Sequence, residues 1–124
     1  MNEQMFKDRT KKLALGVIQL VETLPQNRTA NVIGKQLLRS ATSIGANYRA
    51  ACRGRSSADV IAKLGIVEEE ADESVYWMEL LSESKVVLQS HVAELLKETD
   101  EIIAMTVASI KTLRNPKSKI QNPK

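Results

Sequence analysis

Ile33-Gly-Lys-Gln-Leu-Leu-Arg-Ser-Ala-Thr-Ser-Ile-Gly-Ala-Asn-Tyr-Arg-Ala-Ala51 is the stretch that decides the fold. Wound at about 100° per residue, it gathers Ile33, Leu37, Ala41, Ile44, Tyr48 and Ala51 on one side. No alternation at a period of two competes with that stripe, so the segment reads as an amphipathic helix with one buried face. On the opposite side, Lys35, Arg39, Arg49 and Arg53 share a wedge of roughly 80°. Thr42 and Ala46 lie between them, and Arg55 follows just past the helix end. The result is a basic ridge with a shallow centre, suited to a phosphate backbone. A solvated face, or one that meets acids on a neighbouring chain, has the same appearance.

Breaker residues extend the helical reading to the whole chain. Pro25-Gln-Asn27 closes a first segment from about Asp8 to Thr23, whose stripe is Phe6, Leu13, Val17, Leu20 and Leu24. Thr29 or Asn31 is placed to cap the second segment, which runs to about Arg53. Gly54 suits the left-handed residue after it. Ser57 is the expected cap of a third segment over about 58–84, with Val60, Leu64, Val67, Ala71, Val75 and Met78 inward. The fourth runs from near Ser90 to about Leu113, with Val92, Leu95, Ile102, Ile103, Val107 and Ile110 inward, and Asn115-Pro116 stops it. Short connections between sequential helices predict an all-α, antiparallel up-down-up-down four-helix bundle. Residues 1–114 form its single domain, and 115–124 are expected to be a basic, disordered tail.

Composition agrees. The 124 residues suffice for one core, and with only 3% aromatic residues that core must be aliphatic, which favours packed helices. A net charge of +3 and a pI of about 9.1 permit a nucleic-acid partner without requiring one. No run approaches the roughly 18 apolar residues of a membrane span. The first residues, Met-Asn-Glu-Gln-Met-Phe-Lys, do not read as a signal peptide, so a cytoplasmic protein is expected.

The third segment is the electrostatic counterpart of the second. Glu68, Glu69, Glu70, Asp72 and Glu73 form an acidic block, with Glu79 and Glu83 beyond. On the wheel, Ile66, Tyr76, Trp77 and Leu80 point away from the core stripe, interleaved with Glu69, Glu70 and Glu73. Bulky apolar groups among acids mark a candidate protein contact. The competing reading places Trp77 at the edge of a wide core. As an interface, the acidic patch would suit the basic ridge of another copy, head to tail, closing into a ring.

Motifs for chemistry are lacking. His91, the one histidine, forms His-x-x-Glu with Glu94, but a di-iron bundle needs paired Glu-x-x-His motifs. Cys52, the one cysteine, excludes an internal disulfide and a cysteine-based zinc site, and reads as a small hydrophobe. Gly34-Lys35 is similar to the end of a phosphate loop, but the first glycine is missing and Gln36 stands where Ser or Thr is required. No catalytic triad can be assembled. No enzyme, no cofactor, no metal and no small-molecule substrate are expected.

One family resemblance rests on specific residues. Gln36-Leu-Leu-Arg-Ser-Ala-Thr-Ser-Ile-Gly-Ala-Asn-Tyr-Arg-Ala50, Arg53-Gly-Arg-Ser56, Lys63-Leu64 and Glu69-Glu-Ala-Asp-Glu-Ser-Val-Tyr-Trp-Met-Glu-Leu-Leu81 resemble the 23S rRNA intervening-sequence-encoded proteins, over about residues 9–113. Many members carry Pro where Gly45 stands, so a straighter second helix is expected here. The resemblance implies a four-helix bundle assembled into a ring-shaped homopentamer. A related fold, the accessory protein of diversity-generating retroelements, is a basic pentamer that binds nucleic acid. The positions carried over are Arg39, Ser43, Asn47, Arg53, Glu70, Glu73 and Trp77. The partners expected are therefore further copies of the chain, and RNA or DNA.

Overall fold

Side-chain oxygens at the helix starts set the elements of the bundle. The computed structural model describes residues 2–115, and the tail expected beyond Asn115 lies outside them. Asn2 accepts the Met5 N–H at 2.6 Å and opens α1, Glu3–Glu22, more than a turn before the expected start at Asp8. Asn27 accepts the Ala30 N–H at 2.8 Å and opens α2, Arg28–Cys52, so neither Thr29 nor Asn31 is the cap. Ser56, not Ser57, accepts the Asp59 N–H and opens α3, Ser57–Glu83, while Asp59 accepts the Arg55 N–H in return. Helix α4, Gln89–Arg114, follows Leu88 without a side-chain cap.

Gly54 does not take the left-handed conformation expected of it. Its reason is space, because a Cβ there would lie 2.5 Å from Val60 Cγ2 and 3.1 Å from the Ala51 carbonyl. The left-handed residue is instead Lys85, with φ of 67°. There the Val86 N–H reaches the Leu81 carbonyl and the Lys85 N–H the Ser82 carbonyl, each at 3.0 Å, a Schellman closure of α3.

Cross-helix contacts run in opposite senses along each neighbouring pair. Thr10 faces Gly45, Phe6 stacks on Tyr48, and Val21 and Leu24 face Gly34, so α1 and α2 are antiparallel. Ser40 meets Ser74 while Ala51 packs with Leu64; Leu64 in turn packs with Ile110 while Ser82 bonds Gln89. Arg9 reaches Glu98 and Glu101, and Gly16 faces Leu95. The bundle is therefore up-down-up-down. The α2–α3 and α3–α4 seams are the most extensive, and α1–α4 the least. Helix α2 is one uninterrupted helix through Gly45, which lies against Thr10 where α1 and α2 approach closely.

The main core joins Phe6, Leu13, Val17, Leu37, Ile44, Val67, Met78, Val92 and Ile102, all essentially inaccessible to water. A second cluster of Ala51, Leu64 and Ile110, with Val60, Ile61 and Leu113, fills the end where α2 finishes, α3 begins and α4 finishes. Val60, Val75, Ile103 and Val107 are only half-buried. Hydroxyls share the interior with the apolar stripes: Thr10, Ser40, Ser74, Thr99 and Thr106 are buried. Thr10, Thr99 and Thr106 each donate back to a carbonyl of their own helix, for example Thr106 to Ile102 at 2.7 Å, and one of Ser40 and Ser74 donates to the other while its partner donates to its own helix, which removes the cost of burying them. Among the described residues no helix is long and apolar enough to cross a membrane.

Candidate functional site

The α2–α3 seam brings together most of the positions that the sequence singles out. Ser40 and Ser74 are its buried hinge pin, with their hydroxyl oxygens 2.8 Å apart. One residue from Ser40, Arg39 emerges at the rim, and Glu70 and Glu73 emerge one turn apart on α3 beside it. Arg39 Nη1 lies 3.3 Å from Glu70 Oε1, and Nη2 bonds Glu73 Oε2. The Trp77 indole N–H donates to the same Glu73 oxygen at 2.9 Å, a spacing set by one helical turn. Further along the α2 edge, the Ser43 hydroxyl donates to the Arg39 carbonyl, and the Asn47 amide to the Ser43 carbonyl at 2.9 Å.

This geometry adds contacts within the chain at two of the expected faces. The wheel assigned Arg39 to a ridge that an external phosphate or acid would meet, and Glu70 and Glu73 to a face offered to another copy. Arg39 leans over the seam and meets Glu70 and Glu73 of its own chain, because antiparallel packing places these α3 carboxylates beside it. Trp77 does not point into solvent. It packs against the main core at its edge, with Tyr76 edge-on at 5.1 Å between ring centres. Leu80 is likewise half-buried. The remainder of the α3 patch is open: Tyr76 is 53% exposed and Ile66 37%, beside exposed Glu69.

The electrostatics follow from these contacts. Glu73 is held below the ordinary carboxylate value, first by the Trp77 N–H and then by Arg39, against the opposing effect of burial. Arg39 is held protonated more firmly than usual, chiefly by its bond to Glu73. A second fork went unnoticed in the sequence. Arg9 bonds Glu98 through Nε at 2.8 Å and Nη2 at 2.7 Å, and Glu101 at 2.7 Å. It ties the thin α1–α4 seam and holds Glu98 below its ordinary value. Only the antiparallel pairing of residues about ninety positions apart reveals it.

The other basic candidates separate along α2. Lys35 borders a recess beside Val21 and Glu22 of α1 and Leu24 of the connection that follows. Arg49 overhangs a groove of about 420 Å³ between α1 and α2, floored by Ala14, Thr42, Gly45 and Ala46 and edged by Lys7 and Lys11. Arg53 and Arg55 sit on the α2–α3 turn. All four are exposed, and among the described residues none forms an ion pair. The described residues also contain no group of three or more His, Cys, Asp or Glu able to hold a metal ion.

The chain is thus a helical-bundle scaffold with polar faces, in which nothing points to catalysis. It belongs to the 23S rRNA-intervening sequence protein family, whose model matches residues 3–108. Among solved structures it is similar to a protein of unknown function from the S23 ribosomal protein family of Bacteroides thetaiotaomicron. The two are 36% identical with a TM-score of 0.84, over 90% of this chain and all of the other. No match is found among curated proteins.

Proposed function

We propose that the protein is a non-enzymatic, cytoplasmic, homo-oligomeric bundle that binds RNA through the exposed, unpaired cations carried by α2 and its neighbours. The observation that carries this reading is the partition of the arginines. Arg9 and Arg39 are satisfied by carboxylates of the same chain, whereas Arg49, Arg53 and Arg55 stand exposed without ion pairs among the described residues. Exposed, unpaired cations are those that release counterions on meeting phosphate. Membership of a family that bears the name of an rRNA intervening sequence supports RNA as the polyanion.

Assembly is assigned to the open part of α3, where Tyr76, Ile66 and Glu69 present an apolar patch among acids. The resemblance to ring-shaped relatives suggests five copies. Under a purely structural alternative, the basic and acidic faces of adjacent copies cover each other and no RNA binds.

Native mass spectrometry of protein purified without nuclease tests both. An oligomer carrying heterogeneous mass removable by ribonuclease supports the proposal. An oligomer of bare 13.8 kDa chains that binds no added RNA supports the structural alternative, and a monomer without RNA sinks both.

A further inference from the structure

We infer that RNA is held at one end of the bundle, the end closed by the α2–α3 turn and the last turn of α4, and not along the flank of α2. The inference rests on the RNA-binding reading and locates its contact. The cluster of Ala51, Leu64 and Ile110, with Val60 and Leu113, shows that the end of α2, the start of α3 and the end of α4 converge there. The cations that surround this cluster are Arg49, Arg53, Arg55, Lys111 and Arg114, all exposed. Arg49, Arg53 and Arg55 come from the end of α2 and its turn, and Lys111 and Arg114 from the last turn of α4, so no single helical wheel groups all five.

What distinguishes this end is the state of its acids. Glu3 is bonded to Lys7 at 2.9 Å, and Asp59 to Lys63 at 3.7 Å and to the Arg55 N–H. Asp8 accepts from Gln4 at 2.9 Å. Each acid is already engaged with a neighbour on its own helix or just before it, and none of the five cations has an ion pair among the described residues. The opposite end mixes both signs, with Arg28, Lys35, Lys85 and Lys97 beside Glu22, Glu79, Glu83 and Glu94. Lys35 is roughly 27 Å from Arg53 at 1.5 Å per residue, too far to join the same compact contact. Arg49, Lys111 and Arg114 also complement the C-terminal dipoles of α2 and α4. Arg53 and Arg55 lie beyond that explanation, in the turn. A basic end of this kind recognises the phosphates of a strand that crosses it and reads no base edges, so binding should be tolerant of sequence.

The test is fluorescence anisotropy of a labelled single-stranded RNA oligonucleotide across a salt series, with two charge-matched variants. One carries Arg53→Gln, Arg55→Gln, Lys111→Gln and Arg114→Gln. The other carries Arg28→Gln, Lys35→Gln, Lys85→Gln and Lys97→Gln at the opposite end. Each phosphate contact on a single strand adds about 0.7 to the slope of log affinity against log salt. The first variant should therefore lose about 3 from that slope and bind more than tenfold more weakly at low salt, while the second stays near wild type. Equal losses in both would reduce the effect to net charge and overturn the inference. So would loss only in the second, or a first variant whose assembly mass has changed. Absence of RNA binding by the wild-type protein would remove the underlying reading as well.

Discussion

Two glycines in the middle of helices offer a matched pair of substitutions, because their intrinsic helix preferences are the same and their surroundings are not. Replacing Gly by Ala inside a helix contributes about 0.8–1.0 kcal/mol from backbone entropy. At Gly65 in α3 an added Cβ meets nothing within 4 Å, so Gly65→Ala should keep that gain in full. At Gly45 in α2 the same Cβ falls 3.1 Å from Thr10 Oγ1 and 3.4 Å from Thr10 Cβ. Thr10 cannot swing aside, since it is buried and its hydroxyl is shared between the Phe6 and Lys7 carbonyls at 3.0 Å each. Phe6 is itself fixed, stacked on Tyr48 at 3.9 Å between ring centres. Pushing α1 away costs about 1–3 kcal/mol in a close-packed interior, which cancels or exceeds the helical gain. The two variants should differ by about 1–3 kcal/mol, with Gly65→Ala the more stable. Urea unfolding followed by far-ultraviolet circular dichroism, at one fixed protein concentration, reads the difference. Gly65→Ala should raise the midpoint by about 0.5 M at an unchanged slope. A Gly45→Ala variant as stable as Gly65→Ala would refute the close α1–α2 approach. A destabilised Gly65→Ala would show that this part of α3 is covered.

Three further outcomes follow from named contacts. Trp77 is the one tryptophan of the chain, so its emission reports the protonation of Glu73 directly; the midpoint should lie below the ordinary glutamate value of 4.5, and Arg39→Gln should move it upward. An unmoved midpoint would contradict the Arg39–Glu73 bond. Glu98 has a lowered folded-state value, so its contribution to stability is present above 4.5 and is lost as pH falls through that lowered value; Glu98→Gln should flatten the acid limb of a stability–pH curve, and an unchanged limb would count against the Arg9 fork. Lys85→Gly should stabilise by up to about 1 kcal/mol in thermal unfolding, because the left-handed strain removed slightly exceeds the added chain entropy. A lower melting temperature would mean that the Lys85 side chain contributes to the α3–α4 turn.

Much of the fold was legible because helix periodicity is a local property. The stripes through Leu37, Ala41 and Ile44, and through Leu64, Val67 and Ala71, are set by residues three and four apart, and all six side chains are buried. Helix starts were less legible, since Asn27 competes with Thr29 and Asn31, and Ser56 with Ser57, and backbone geometry chooses between them. The buried hydroxyls of Ser40, Ser74, Thr99 and Thr106 share the interior with the apolar stripes, because a hydroxyl bonded to its own helix or to its facing hydroxyl behaves in the core as a small neutral group.

The candidate faces divide the same way. The sequence by itself determined that α2 carries cations opposite its core stripe and that α3 carries acids, because both follow from the wheel alone. Only tertiary structure decided which of those charges remain free. Antiparallel packing brings Arg39 to Glu70 and Glu73, and Arg9 to Glu98 and Glu101, pairs that no local pattern encodes. The same packing gathers Arg53, Arg55, Lys111 and Arg114 around one end of the bundle. Side-chain placement within a helix is fixed by residues a turn apart, whereas the field around a bundle is fixed by which helix ends lie together.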